Sequence, residues 1–280
     1  MKEILLISNL DIQSPDILNY VAEFCKHYQC KLHIIHFDES VDPVLLSSAS
    51  TYSALGFDMD SYERREDLIK KIKAQTGSFI DAEWVNITIK GDRETWFIDQ
   101  FIAENNLDLL IVGQNIFKKY HDRIGASIKD TVTKHTMAPM LVLPPLQLFE
   151  PIESVNYLLK EMNDFNLQHI SALSTMLPDA DVKLTHIIEH EDDELDKVAS
   201  TRWMSYIHKN IAAKITLQSE STEYSKYVNQ ENSAITQHHD LLVFSTYNRN
   251  FWDRILDPST TLRQLSTLQT PALIFKHRKA

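Results

Sequence analysis

The chain is poor in glycine, cysteine and clustered positive charge, and each shortage argues against a class of function. Its 280 residues include five glycines, all in the first half: Gly56, Gly77, Gly91, Gly113 and Gly125. A backbone that cradles phosphate usually needs glycine where the chain meets the ligand. The second half is therefore poorly equipped to bind phosphate.

The two cysteines, Cys25 and Cys30, have the spacing of neither a zinc pair nor a thioredoxin-type pair. We expect free thiols in a reducing compartment, projecting from different faces of the first helical region. His33 and His36 lie close by in sequence, but two residues three apart on a strand point to opposite faces of the sheet. No metal site is predicted from this group.

The formal net charge is -11, and no stretch concentrates basic residues into the face that a nucleic-acid-binding protein needs. No run approaches the ~20 consecutive apolar residues that span a membrane. The first residues, MKEILLISNLD, contain Glu3 and no small-residue cleavage site, so they are interpreted as a strand and not as a secretory signal. These features predict a cytoplasmic protein without nucleic-acid or membrane partners.

Short apolar runs alternate with amphipathic helical patterns along the whole chain. This alternation predicts an α/β fold with mostly parallel strands covered on both faces. The predicted strands of the first half are ILLISN, KLHIIHF, EWVNITIKGD, LDLLIVG and PMLVLPP, and those of the second half are SVNYLLK, DVKLTHII, ITLQSES, HDLLVFST and PALIFKH.

The end of the first half is repeated at the end of the second. At one constant offset, Asp108-Leu109-Leu110 matches Asp240-Leu241-Leu242, Pro139 matches Pro271 and Leu141 matches Leu273. A self-match of this length is the signature of a duplicated unit. It predicts two doubly wound α/β domains, residues 1–147 and residues 148–280, of which the second is degenerate.

Through these strands, and through IGASIKDTVTKHTMAPMLVLP above all, the chain resembles the universal stress protein family in its tandem two-domain form. The resemblance covers nearly the whole length. It implies a five-stranded, mostly parallel sheet in each half, of the adenine nucleotide alpha hydrolase-like type. It also implies that the halves pair through their last strands, which leaves a monomer or a homodimer open.

The resemblance further implies where a nucleotide would bind. ATP-binding members carry an acidic residue after the first strand, and then a loop of Gly, two residues, Gly, nine residues, and Gly followed by Ser or Thr. Here the acidic position holds Asn9, the second glycine falls at Asn115 or Ile116, and the spacing is one residue short. The implied site consists of Asn9, Gly113, Gln114, Asn115, Gly125, Ala126 and Ser127.

The second half departs further from this pattern. Ser245 replaces the first glycine, and Asp257-Pro258 replaces Gly125-Ala126. Asp257 would place a negative charge beside a phosphate, and proline removes a backbone donor. We expect no nucleotide site there.

Two functions are compatible with these features. The first is a non-enzymatic stress-response protein with degenerate nucleotide sites and no expected cofactor, which acts through other proteins or a small ligand. The second is a regulatory protein that binds ATP or AMP through the loop from Gly113 to Ser127. Alternatively, Gly113 and Gly125 only permit a turn and a helix start. No nucleophile elbow, zinc-protease helix or strict Walker loop occurs, so enzymatic activity is not predicted.

Overall fold

The structure is a computed structural model of the chain. It describes residues 3–8, 15–38, 66–67, 69–74, 84–91, 96–117, 138–145, 147–159, 162–188, 194–211, 214–221, 239–246 and 269–276. Contacts divide the chain into two compact units, one comprising Met1–Ala138 and Pro145–Phe149, the other comprising Pro139–Pro144 and Glu150–Ala280.

The first unit is built around four parallel strands in the spatial order β3-β2-β1-β4. Its elements are β1 (Glu3–Ser8), α1 (Pro15–Tyr28), β2 (Lys31–Asp38), β3 (Val85–Gly91), α2 (Phe97–Asn105), β4 (Leu109–Gly113) and a 3-10 helix (Gln114–Phe117). The four residues Ile4–Ile7 of β1 are all fully buried. Burial on both faces is expected of a central parallel strand between helical layers.

The second unit has six strands in the order β5-β10-β9-β6-β7-β8. Its elements are β5 (Met140–Leu143), β6 (Ser154–Leu159), α3 (Asp164–Met176), β7 (Asp181–Ile188), α4 (Glu194–Asn210), β8 (Ile215–Ser221), β9 (Leu241–Thr246) and β10 (Ala272–Lys276). β5 and β10 pair antiparallel, with Leu141 opposite Leu273, and the other pairs of this unit are parallel.

Each half of the chain thus supplies five of the strands in the described residues, and the α/β prediction with a mostly parallel sheet is confirmed. The strand registers repeat between the halves. Ile4 lies opposite Leu109 in β1 and β4, and Val155 lies opposite Leu241 in β6 and β9. The contact units differ from the predicted domains in assigning β5 to the second unit, and the boundary near residue 148 stays a prediction.

The end of α1 explains the two cysteines. Gln29 has a left-handed backbone (φ 53°), and the Cys30 amide donates to the Cys25 carbonyl at 2.9 Å. This is the six-to-one hydrogen bond of a Schellman motif, which folds the chain back over the last turn of the helix. Cys30 therefore does not project from a second helix face as expected. Both thiols are free and buried.

The segment between the halves is anchored by one aromatic side chain. Phe149 packs its ring against four rings of α1, with centroid distances of 5.4 Å to Tyr20, 5.9 Å to Phe24, 5.6 Å to His27 and 6.5 Å to Tyr28; all but the His27 pair are edge-to-face. The neighbouring Leu148 is 76% exposed. Edge-to-face pairs of this kind stabilise beyond their buried area, so Phe149 fixes the start of the linker to the first unit.

Within the described residues, no helix is both long enough and apolar enough to cross a bilayer.

Candidate functional site

The described part of the predicted nucleotide loop lies at the carboxyl end of β4. Gly113 is the last residue of this buried strand, and the chain continues directly into the 3-10 helix through Gln114 and Asn115. Gln114 is 2% exposed and Asn115 is half-buried. Among the described glycines none has a positive φ, and Asn115 is not left-handed either. Where ATP-binding members carry the second glycine, this chain therefore forms a 3-10 turn.

Two further strands, β1 and β2, bring polar side chains to the same edge as Gly113. Ser8 ends β1, and its Oγ lies 3.4 Å from Nδ1 of His36 on β2, in a buried contact. β1 lies between β2 and β4, with Ile7 opposite Val112. In open α/β sheets, ligands bind at the carboxyl ends of the strands. The structure places Gly113 and Gln114 at this edge, in the same sheet as Ser8 and His36.

The other predicted site residues, Asn9, Gly125, Ala126 and Ser127, lie outside the described residues. Their part in a nucleotide site stays a prediction.

At the equivalent edge of the second unit, four polar side chains meet. The strand registers make Ser245 on β9 equivalent to Gly113, and Tyr157 on β6 equivalent to Leu6. The Ser245 hydroxyl is hydrogen-bonded to the Tyr157 hydroxyl, and it lies 2.7 Å from Nδ1 of His169 on α3. The Tyr157 hydroxyl also donates to Asn166 Oδ1 at 3.3 Å.

We call Tyr157, Asn166, His169 and Ser245 the second-unit polar cluster. A serine hydroxyl has one proton to donate and two lone pairs, and here it already contacts a phenol and an imidazole. Tyr157 is fully buried, and the His169 ring stacks on Phe275 with a centroid distance of 4.7 Å. The cluster is uncharged when His169 is neutral. The Ser245 side chain and its partners occupy the position where the first unit has only the hydrogen of Gly113.

Sequence reasoning identified Ser245 but missed Tyr157, Asn166 and His169. One signal was available, because Tyr157 brings a hydroxyl into a predicted strand, and that hydroxyl must find a partner when buried. Asn166 and His169 gave no such signal. Their spacing on a helix is common, and only the packing of α3 shows that they face β6 and β9.

The histidines of β2 point to opposite faces, as predicted. His33 Nε2 lies 2.6 Å from Glu3 Oε2, and its ring packs against Phe101 of α2, whereas His36 contacts Ser8. Within the described residues, no group of three His, Cys, Asp or Glu side chains is placed to hold a metal ion.

Burial disfavours ionisation of the two cysteine thiols. Burial raises the pKa of the Cys30 thiol to about 11. Burial, and secondly the neighbouring Cys30, raise the pKa of Cys25 still further. The thiolate is the reactive form of cysteine, so neither residue is a nucleophile at neutral pH.

Comparison with known proteins identifies the fold. Neither the family models nor the curated protein sequences match this chain. Among solved structures, a universal stress protein from Archaeoglobus fulgidus superposes with a TM-score of 0.63 at 11% identity, covering 98% of this chain and 96% of the other. The chain has the universal stress protein fold.

Two further structures share this fold. A putative universal stress protein from Pseudomonas aeruginosa has a TM-score of 0.53 at 12% identity, over 99% of this chain and 93% of its own. The cytoplasmic domain of a prokaryotic cation chloride cotransporter has a TM-score of 0.53 at 10% identity, over 98% and 95%. Because the universal stress protein fold also occurs in part of a transporter, the fold alone does not determine the function.

Proposed function

We propose that the chain is a cytoplasmic, non-enzymatic stress-response protein of the tandem universal stress type. Its nucleotide sites are degenerate, and it acts through protein partners or a small ligand.

The observation that carries this proposal is the second-unit polar cluster. A phosphate site in this fold needs backbone donors and free space at the carboxyl edge of the strands. In the second unit, Ser245 stands where the first unit has Gly113, and its hydroxyl is already bonded to Tyr157 and His169. A triphosphate entering there would have to displace a buried tyrosine hydroxyl from two partners. Leaving buried polar groups unsatisfied costs about 1–3 kcal/mol for each group.

A second candidate function is a regulatory protein that binds ATP or AMP through the first unit. The observation that favours it is the preserved Gly113, followed by the buried Gln114 and flanked by Ser8 at the same sheet edge. Nothing larger than a glycine hydrogen projects from position 113. A nucleotide held there would use the loop from Gly113 to Ser127, with Asn9 beside it.

Calorimetric titration of ATP and AMP, with magnesium, into nucleotide-free protein separates the two functions. Non-enzymatic action with degenerate sites predicts no heat at about millimolar nucleotide, and no release of ADP or phosphate from ATP above the rate in buffer. A regulatory nucleotide site predicts one site per chain at about micromolar affinity.

The matched variants are Gly125→Asp and Asp257→Gly, which alter equivalent positions of the two halves. If the site is in the first half, Gly125→Asp abolishes binding and Asp257→Gly leaves the stoichiometry at one. Two sites per chain, or steady ATP turnover, would overturn the non-enzymatic proposal.

A further inference from the structure

Helices α3 and α4 of the second unit border an open groove with a volume of about 790 Å³. Volumes of a few hundred to about 1,000 Å³ are typical of small-molecule sites. From α3 the groove is lined by Asp164, Leu167 and Gln168, whose spacing places them on one helix face. From α4 it is lined by Arg202 and its neighbours. The groove shares no residue with the second-unit polar cluster.

Two opposite charges line this groove, Asp164 from α3 and Arg202 from α4. The Ser200 hydroxyl contacts Met162 Sδ at 3.6 Å, which sets these two residues side by side. Arg202 follows Ser200 by two residues, and Asp164 follows Met162 by two. The helices run in the same direction, because each leads from one parallel strand to the next. Two residues of chain span at most about 7 Å, so Asp164 and Arg202 both lie near this contact.

These charges are exposed and do not pair with each other. Within the described residues, neither Arg202 nor Asp164 makes an ion pair or a side-chain hydrogen bond. A guanidinium offers a fork of donors that suits a carboxylate, and a carboxylate accepts from an ammonium group. A groove lined by both charges is complementary to a ligand that carries an ammonium group and a carboxylate on the same carbon atom.

The groove also has an apolar and aromatic part, beside the polar side chains of Gln168, Ser171 and Asn210. Trp203 is 7% exposed and forms part of the floor, with the half-buried Leu167 opposite. One turn further along α4, the Tyr206 ring is 51% exposed. A large exposed ring beside a groove leaves apolar surface that a bound ligand can cover.

We propose that this α3–α4 groove binds a free α-amino acid with an apolar or aromatic side chain. Arg202 holds the carboxylate, Asp164 holds the ammonium group, and the side chain lies along Trp203 and Tyr206. This goes beyond the proposed function, because it requires nothing of either nucleotide cleft, and it gives a chemical class to the small ligand.

The test is calorimetric titration of L-phenylalanine and L-leucine into the full chain. We expect one saturable site, and binding weakened about tenfold or more by Arg202→Gln. Lys209→Gln removes the same charge from an exposed position of α4 outside the groove, and is expected to leave the affinity unchanged. Asp164→Asn is compared in the same way with Asp179→Asn, an exposed aspartate beyond α3.

Ligand variants test the two charges independently. N-acetyl-L-phenylalanine lacks the ammonium charge and L-phenylalaninamide lacks the carboxylate, so each is expected to bind at least about tenfold more weakly. The proposal is overturned by the absence of saturable heat at about 10 mM of both amino acids. Equal affinity in Arg202→Gln, or equal affinity for the N-acetyl compound, also overturns it. Nucleotide titration of the same protein reads out the proposed function separately, because no residue is shared.

Discussion

Asp240 holds the first residue of β6 in place through a carboxylate that receives three hydrogen bonds. Its Oδ2 accepts from the Ser154 amide at 2.8 Å, from the Glu153 amide at 3.0 Å and from the Ser154 hydroxyl at 3.1 Å. The duplicated residue, Asp108, accepts from the Glu3 amide at 3.2 Å. In both halves the aspartate before one strand thus fixes the start of the strand beside it.

We expect Asp240→Ala to lower the free energy of unfolding by about 2 kcal/mol, because hydrogen bonds to charged groups contribute about 1.5–3 kcal/mol. Asp108 is exposed, and its replacement by alanine is expected to cost about 1 kcal/mol or less, within the range of an ordinary hydrogen bond. Urea denaturation measures the free energy of unfolding of both variants. Asp240→Asn keeps an acceptor oxygen and should fall between wild type and Asp240→Ala. Equal losses in the two alanine variants would contradict this ranking.

The hydroxyl of Tyr157 links β6 to α3 and β9. Tyr157→Phe removes it and leaves Asn166 Oδ1 and Ser245 each one partner short. We expect a loss of about 1–2 kcal/mol in the free energy of unfolding, since a buried group loses its partner. Tyr206→Phe makes the same chemical change at a 51% exposed ring and should stay within about 0.5 kcal/mol of wild type. If both variants match wild type, the second-unit polar cluster does not stabilise the fold.

The packing of Phe149 against α1 can be tested by truncating its side chain. Phe149→Ala removes the ring that contacts Tyr20, Phe24 and His27. Full burial would make such a truncation cost about 3–5 kcal/mol. Phe149 is only half-buried, so we expect about 1–3 kcal/mol. Leu148→Ala, at an adjacent 76% exposed position, serves as the control and should change the stability little. Comparable losses from the two variants would mean that the linker is not anchored through Phe149.

The buried thiols make stability depend on pH at the alkaline end. The folded-state pKa of Cys30 is raised from 9.0 to about 11, and that of Cys25 is raised further. The neutral thiols are therefore favoured in the folded state. Their contribution is fully present below pH 9, and it is lost as the pH rises, because unfolded thiols ionise first.

Denaturation between pH 7 and about 11 checks this expectation. Tyrosine and lysine side chains titrate in the same range, so the informative quantity is the difference between wild type and Cys25→Ala/Cys30→Ala. This difference should shrink as the pH rises above 9. At pH 7 the native thiols should resist iodoacetamide and react after denaturation. Rapid labelling of the folded protein would contradict the burial of the two thiols.

The strand pattern and the duplication were readable from the sequence because they depend on local chemistry. Apolar runs such as ILLIS form strands when helices cover both faces, and each of the ten predicted runs coincides with a strand of the structure to within one residue or contains it. The equivalence of Asp108 and Asp240 was likewise visible as a repeated Asp-Leu-Leu, although its role as an acceptor for the neighbouring strand was not.

The tertiary structure decided everything that depends on which elements become neighbours. Tyr157, His169 and Ser245 are far apart in sequence, and they meet only because the crossover through α3 lays one helix over β6 and β9. The presence of Arg202 and Asp164 in one groove depends in the same way on how α3 and α4 pack. The relative position of Cys25 and Cys30 likewise depends on the left-handed turn at Gln29. Hydrophobic periodicity specifies which face of an element is buried, but partner, stagger and register come from packing, and these are what place a candidate site.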